Sequence, residues 1–401
     1  MKNVMKELIK EQKFVCNNYK TIPRVMVRGK GIYVFDKNSY SYIDCISGYS
    51  ALNQGHCHNR LINVVHKQIQ NLTLTSRAYH NDKLGIYSEK LCKLFKYDKV
   101  LLMNGGVESG ESAIKIARSW GYKNKKIPKY NAVNIFFKNN FWGRSLAACS
   151  SSDDPSCYTN FGPFNNGMQI IEYNNIKELK KCLERNPNIV SVMLEPIQGE
   201  GGIIIPSAGY LHKVRELCTQ YNVLMIADEV QTGLGRTGKL LACDYEKVRP
   251  DILCLGKSLS GGFYPISAVL CDNHIMDVIT PGVHGSTYGG NPLACAIGIE
   301  ALNIIKDENL IKNSYLNGNI FRNVIKSYDY DFIKVRGRGL LNGIEFENKK
   351  MADKFVSELL NNRVLVKSTR DNIIRITPPL VISQKQMTYL LGKIIKVLNK
   401  M

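Results

Sequence analysis

The chain lacks any apolar run approaching the roughly 18 residues that a membrane-spanning helix needs, and no hydrophobic leader opens it. Its first segment, MKNVMKELIKEQKFV, has the makings of a short amphipathic helix. It carries Glu7 and Glu11 and no Arg, unlike a mitochondrial presequence, so a cytoplasmic protein is expected. Also missing is a C-x-x-C pair: the twelve cysteines are scattered, and Cys254, Cys271 and Cys295 lie in apolar surroundings, which argues for reduced, buried thiols rather than a disulfide framework. Cys149 and Cys157 bracket the polar stretch SSSDDPS, a pair that could close reversibly as a redox switch. Acidic residues are scarce, 34 against 54 basic, for a net charge of +20. Such an excess suits nucleic acid or a membrane surface. The basic clusters KNKKIPK and KELKK have no interleaved aromatics and match no nucleic-acid motif, so a solvated basic surface that attracts small anions is expected, with neither nucleic acid nor membrane as partner.

What is present begins with 401 residues, enough for a large core and more than one average domain. Two segments, IADEVQTG and ILCLGKSLSGG, run from short apolar stretches straight into a reactive group, Asp228 in the first and Lys257 in the second. Val223 to Ala227 and Ile252 to Leu255 have the unbroken apolar character of strands buried on both faces, so both groups fall at strand ends, where open α/β sheets place ligands. A third such run, Ile189 to Leu194, ends in Glu195-Pro-Ile-Gln-Gly-Glu200. Taken singly, an Asp or Lys after a strand is an ordinary solvated loop residue. Together they suit one cofactor: a Lys amine forms a Schiff base with the aldehyde of pyridoxal phosphate, and a carboxylate keeps the pyridine nitrogen charged.

Elsewhere the pattern is of a mixed protein. GIYVFDKNSYSYIDC alternates as a hairpin around Asp36 to Asn38, and LINVVHKQIQNL follows as a helix. Between them, His56, Cys57 and His58 have ligand-type side chains, but adjacent residues point apart and no second pair exists, so no metal site is expected. Lys99 to Met103 predicts a strand that turns through NGGVESGES into a helix, whose N-terminal amides suit a phosphate. The segment matches neither the dinucleotide nor the P-loop fingerprint. From there to about residue 270, apolar runs alternate with helical stretches, as in a mainly parallel sheet. A long helix starts near Pro292. Beyond it VRGRGLLNGIEFEN predicts two strands, 351–362 a helix, VLVKST and IIRITPP strands, and 383–399 a final helix. These form a small α+β lobe shared with the N-terminal hairpin.

EPIQGEGG, ADEVQTGLGRTG, LGKSLSGG and HGSTYGGNPL resemble, in order and spacing, the motifs of the class III, fold type I pyridoxal phosphate-dependent aminotransferases. NQGHCH, LTLTSRA, NFWGRS and IIRITPPL extend the likeness from about Tyr19 to the C-terminal helix. The resemblance implies an α/β fold: a large cofactor-binding domain (55–299) with a mainly parallel seven-stranded sheet flanked by helices, a small α+β domain (300–401), and an N-terminal segment (1–54) that contributes to the latter. It implies Lys257 as Schiff-base lysine and Asp228 as the ring-nitrogen contact. Gln231 would meet the ring hydroxyl, Phe141 and Val230 the ring faces, and Gly106 and Val107 the phosphate, joined by Thr287 from a partner in a homodimer. Gly105 stands where many relatives carry a hydroxyl. For substrates it implies Tyr19 and Tyr49 at the amino-acid end of L-ornithine, Arg375 and Arg144 at the two carboxylates of 2-oxoglutarate, and Glu200 shielding Arg375 in the first half of a ping-pong cycle. The implied products are glutamate and glutamate 5-semialdehyde, which cyclises to pyrroline-5-carboxylate, between arginine metabolism and proline biosynthesis. Two alternatives stand beside it: the same chemistry on acetylornithine, 4-aminobutyrate or lysine, and a non-catalytic basic binding protein on this scaffold.

Overall fold

The computed structural model describes residues 2–401. Three sheets organise it. In the first, β1 (Met26–Lys30), β2 (Tyr33–Asp36) and β3 (Ser41–Asp44) form an antiparallel meander whose β2–β3 hairpin is the predicted one. Asp36 fixes the turn, its carboxylate accepting from the Asn38 and Tyr40 amides at 2.9 Å each.

The second sheet has seven strands: β4 (Lys99–Met103), β5 (Val133–Phe137), β6 (Met168–Ile171), β7 (Ile189–Leu194), β8 (Leu224–Asp228), β9 (Ile252–Leu255) and β10 (Ser267–Cys271), in the order β4-β10-β9-β8-β7-β5-β6. All are parallel except β10, which runs antiparallel to both β4 and β9. Every residue of β7 to β10 is buried, because helices cover both faces. Alternate residues serve opposite layers. On β8, Leu224 and Ile226 pack with Ile114, Ile116 and Trp120 of the helix Gly106–Lys123, while Met225 packs with Leu179, Val214 and Leu217 of the helices Ile176–Arg185 and Tyr210–Gln220. Each such large aliphatic side chain, fully buried, contributes about 1.5–3 kcal/mol.

The third sheet is antiparallel, with β11 (Ile333–Arg338), β12 (Leu341–Phe346), β15 (Ile373–Ile376) and β14 (Lys367–Arg370) in the order β11-β12-β15-β14. The stretch VLVKST, expected as one strand, is two. Its first part, β13 (Val364–Leu365), pairs in parallel with β3, and the chain crosses to the third sheet at buried Val366. The predicted helices stand at Lys349–Asn361 and Gln384–Leu398, the latter capped by Ser383, whose hydroxyl accepts from the Gln386 amide. The helix Pro292–Asp307 begins with Pro at a position that needs no amide donor, after Asn291 as cap. His56 and His58 point apart, to Asp44 and Glu308 respectively.

A clasp joins the sheets. Arg236 is fully buried with no carboxylate partner among the described residues, and instead donates to the Leu340 and Pro378 carbonyls and to Asn53 Oδ1. Burial, with Arg375 nearby, pushes its pKa down to about 9.

Candidate active site

Three neighbouring parallel strands end together. Asp228 is the last residue of β8, Glu195 follows β7, and Lys257 lies two residues beyond β9. Their side chains line one cavity of about 180 Å³, with Gly106, Val107, Phe141, Trp142, Gly143, Glu200, Val230 and Gln231. Lys257 opens a 3₁₀ turn with φ +44°, a left-handed conformation that costs a non-glycine residue about 1–3 kcal/mol and that the surrounding turn must hold. Burial keeps its ammonium below the ordinary lysine range, against the pull of Glu200, Asp228 and Glu195, which favours the nucleophilic free amine.

Asp228 accepts one hydrogen bond, from the Val230 amide at 3.0 Å, and burial raises its pKa to about 6. Such a buried carboxyl suits a cationic partner. Gln231 Oε1 is buried with no partner among the described residues. In the wall of the same cavity, the helix Gly106–Lys123 begins with spare amides at Gly106 and Val107. The two amides just before them are occupied, because Glu108 folds back to accept from the Asn104 and Gly105 amides. Gly106 also needs to be glycine for space: a Cβ there would lie 2.9 Å from Val230 Cγ1. Asp228 would face a cationic ring nitrogen, Gln231 a ring hydroxyl, Lys257 an aldehyde and the Gly106 and Val107 amides a phosphate, with Phe141 and Val230 in the same walls. The residues present therefore fit pyridoxal phosphate.

Glu195 has a role that strand-end reasoning did not supply. Its carboxylate accepts from the Phe141 and Gly199 amides at 3.0 Å each, tying the loop that carries Phe141 to the end of β7. Burial and nearby Asp228 push its pKa to about 8.

A larger cleft of about 940 Å³ shares Phe141, Glu200 and Lys257 with the first and extends to Tyr19, Tyr49, Arg144 and Lys367. Glu200 forms an ion pair with Arg375, which is only 3% exposed, and also accepts from Gln231 Nε2 at 3.3 Å and from Thr369. Burial pushes the Glu200 carboxyl up, but Arg375 and Lys257 outweigh it and hold the group below its ordinary value. Tyr49 sits in a left-handed turn (φ +59°). Its hydroxyl accepts from Lys367 Nζ at 2.8 Å, and the Lys367 amine lies 5.4 Å from the Tyr19 ring centre. Lys367 was missed: on VLVKST it looks like any solvated strand lysine. Arg144 stacks against Phe141, 5.7 Å from its centre. Cys149 and Cys157 are both buried, as free thiols, in the wall of this cleft. Thr287 is exposed on its loop and lines neither cavity.

Residues 14–398 match the family described as Aminotransferase class-III. The chain is 52% identical over 379 residues, 94% of its own length and 88% of the relative's, to a protein of Drosophila melanogaster named ornithine aminotransferase, mitochondrial. Its fold matches, at a TM-score of 0.97 and 46% identity over 99% of this chain and 94% of the other, an ornithine aminotransferase from Toxoplasma gondii described with partial occupancy of PLP at its active site. An acetylornithine aminotransferase from Elizabethkingia anophelis matches at a TM-score of 0.91 and 43% identity over 99% of both chains.

Proposed function

The chain belongs to the class-III aminotransferases, and from that premise we propose that its two cavities transfer the δ-amino group of L-ornithine to 2-oxoglutarate. It is an enzyme, and its cofactor is pyridoxal phosphate. When bound, that group supplies an electron-withdrawing ring conjugated to the reacting nitrogen, so that a proton leaves the adjacent carbon. Lys257 Nζ is placed to take that proton from the δ-carbon of ornithine. Asp228 would hold the ring nitrogen charged and Gln231 would meet the ring hydroxyl. Phe141 and Val230 would fix the ring, and the Gly106 and Val107 amides would anchor the phosphate.

The observation that carries the choice of the terminal amine is the Glu200–Arg375 pair, and Tyr19 and Tyr49 in the same cleft support ornithine among terminal-amine donors. A bare Arg375 would bind the α-carboxylate of ornithine bidentately and bring the α-amine to Lys257 instead of the δ-amine. With Glu200 in place the α-amino acid end is turned to the far end of the cleft, where Tyr19, Tyr49 and the Lys367 amine stand. In the second half-reaction Glu200 withdraws, Arg375 takes the α-carboxylate of 2-oxoglutarate and Arg144 its distal carboxylate. Glutamate leaves, and glutamate 5-semialdehyde cyclises to pyrroline-5-carboxylate. This ping-pong order links arginine metabolism to proline biosynthesis.

The same reading divides the chain into an N-terminal segment (1–54), a large domain (55–299) and a small domain (300–401), with the helix Pro292–Asp307 carrying the chain across the second boundary. Exposed Thr287, outside both cavities of its own chain, supports a homodimer in which Thr287 of the partner subunit completes each phosphate site. No helix among the described residues is long and apolar enough to cross a membrane.

A second reading, acetylornithine as donor, is favoured by the 43% identity to the Elizabethkingia protein. A half-reaction screen separates the two. Bleaching of the yellow enzyme by ornithine, but not by acetylornithine, 4-aminobutyrate or lysine, with o-aminobenzaldehyde trapping the cyclised product, is the expected result. Bleaching by acetylornithine in preference to ornithine would overturn the assignment.

A further inference from the structure

Glu200 has to occupy two positions in one catalytic cycle, and the structure contains a group built for both. β14 is an edge strand, and its pairing with β15 slips between Ser368 and Arg370, leaving Thr369 as the extra residue of a bulge. A bulge re-aims a side chain out of the ordinary alternation. Here it turns the Thr369 hydroxyl onto Glu200, where Oγ1 lies 2.9 Å from the backbone carbonyl oxygen and 3.2 Å from Oε2 of the carboxylate. A hydroxyl has one proton to donate, so these two acceptors are alternatives.

We propose that Thr369 is the positioning residue of the Glu200 switch: its proton goes to the carboxylate while Glu200 shields Arg375, and to the Glu200 carbonyl when the carboxylate swings away. The hydroxyl thus keeps an acceptor in both states, and leaving Arg375 strands no buried donor on β14. The other holds on the carboxylate, Arg375 and Gln231 Nε2, both grip Oε1; Thr369 alone reaches Oε2. A bond to an ionised carboxylate is roughly twice as strong as one to a neutral carbonyl, so losing the hydroxyl weakens the shielded state more than the open one.

This inference rests on the two-substrate reading of the cleft, and the test keeps the two apart. Thr369→Val removes the hydroxyl and keeps the shape; Thr369→Ser restores it. The expected result for Thr369→Val is a half-reaction with L-glutamate, whose α-carboxylate needs bare Arg375, more efficient by about three- to tenfold, and one with L-ornithine less efficient by a similar factor. Binding of glutarate, measured by calorimetry on cofactor-free and cofactor-loaded protein, should tighten by the same three- to tenfold, and Thr369→Ser should stay within about twofold of the parent on all three measures. Ornithine and glutamate changing by one common factor, or all three measures unmoved, would overturn the proposal, since a merely structural side chain gives no opposed signs. If the parent protein reacts with glutamate and not with ornithine, the donor assignment fails, while the glutamate and glutarate arms still decide Thr369.

Discussion

The two cavities share Lys257, Phe141 and Glu200 but are built in opposite ways. The smaller takes its reactive groups from the ends of three adjacent, wholly buried parallel strands, so Asp228, Glu195 and Lys257 inherit the rigidity of the sheet. The larger is assembled from pieces distant in sequence: the Tyr19 segment, the left-handed turn at Tyr49, the loop carrying Arg144, and the bulged edge strand with Lys367 and Ser368. The difference teaches a division of labour. Bond-making chemistry is mounted on buried strand ends, and substrate choice on loops and an edge strand.

The contrast breaks most completely at Lys257. Lys257→Ala should lower turnover by at least about 10⁴-fold and abolish the yellow colour, measured by steady-state assay and absorbance; substantial remaining turnover would remove the chemistry from the sheet ends. Asp228→Asn sharpens it next. Activity should fall by about 10²- to 10³-fold, and cofactor uptake by the parent should fail as pH drops below about 6, where Asp228 becomes neutral. In the cofactor-free protein the sign reverses. A carboxyl whose folded pKa is raised destabilises the fold above that pKa, and the penalty fades as pH falls from about 6 toward 4. Cofactor-free Asp228→Asn should therefore be more stable than the parent at pH 8, by about 1–3 kcal/mol, with the gap closing by pH 4 in thermal melts. The smallest effect belongs to the larger cleft. Lys367→Met should raise the KM for ornithine by about three- to tenfold through the freed Tyr49 hydroxyl and leave the 2-oxoglutarate half-reaction within about twofold. Equal losses in both would make Lys367 structural only.

The same division governs what could be read from the chain. Asp228, Glu195 and Lys257 were legible because each follows an unbroken apolar run, and a strand buried on both faces has no other appearance. The direction of β10 was not legible, since an apolar run carries no arrow. Nor did the residues alone pair Glu200 with Arg375, 175 positions apart; only family resemblance placed them together. VLVKST hid two events, the crossing at Val366 and the bulge at Thr369, because both arise from what the neighbouring strands require rather than from propensity. Lys367 and Thr369 went unnoticed for that reason. Glu195 was visible as a polar strand end, but its hold on Phe141 depends on a loop 54 residues earlier.

The pairing of β3 with β13 joins Ile43 to Val364. During synthesis the amino-terminal meander must therefore wait, one edge open, until almost the entire polypeptide has left the ribosome. The parallel sheet with its lysine is complete once Cys271 has emerged, yet the turn that presents Tyr49 gains its neighbours Lys367 and Arg375 only afterwards. A truncated translation product would thus be an amine-bearing scaffold without the means to select what it meets.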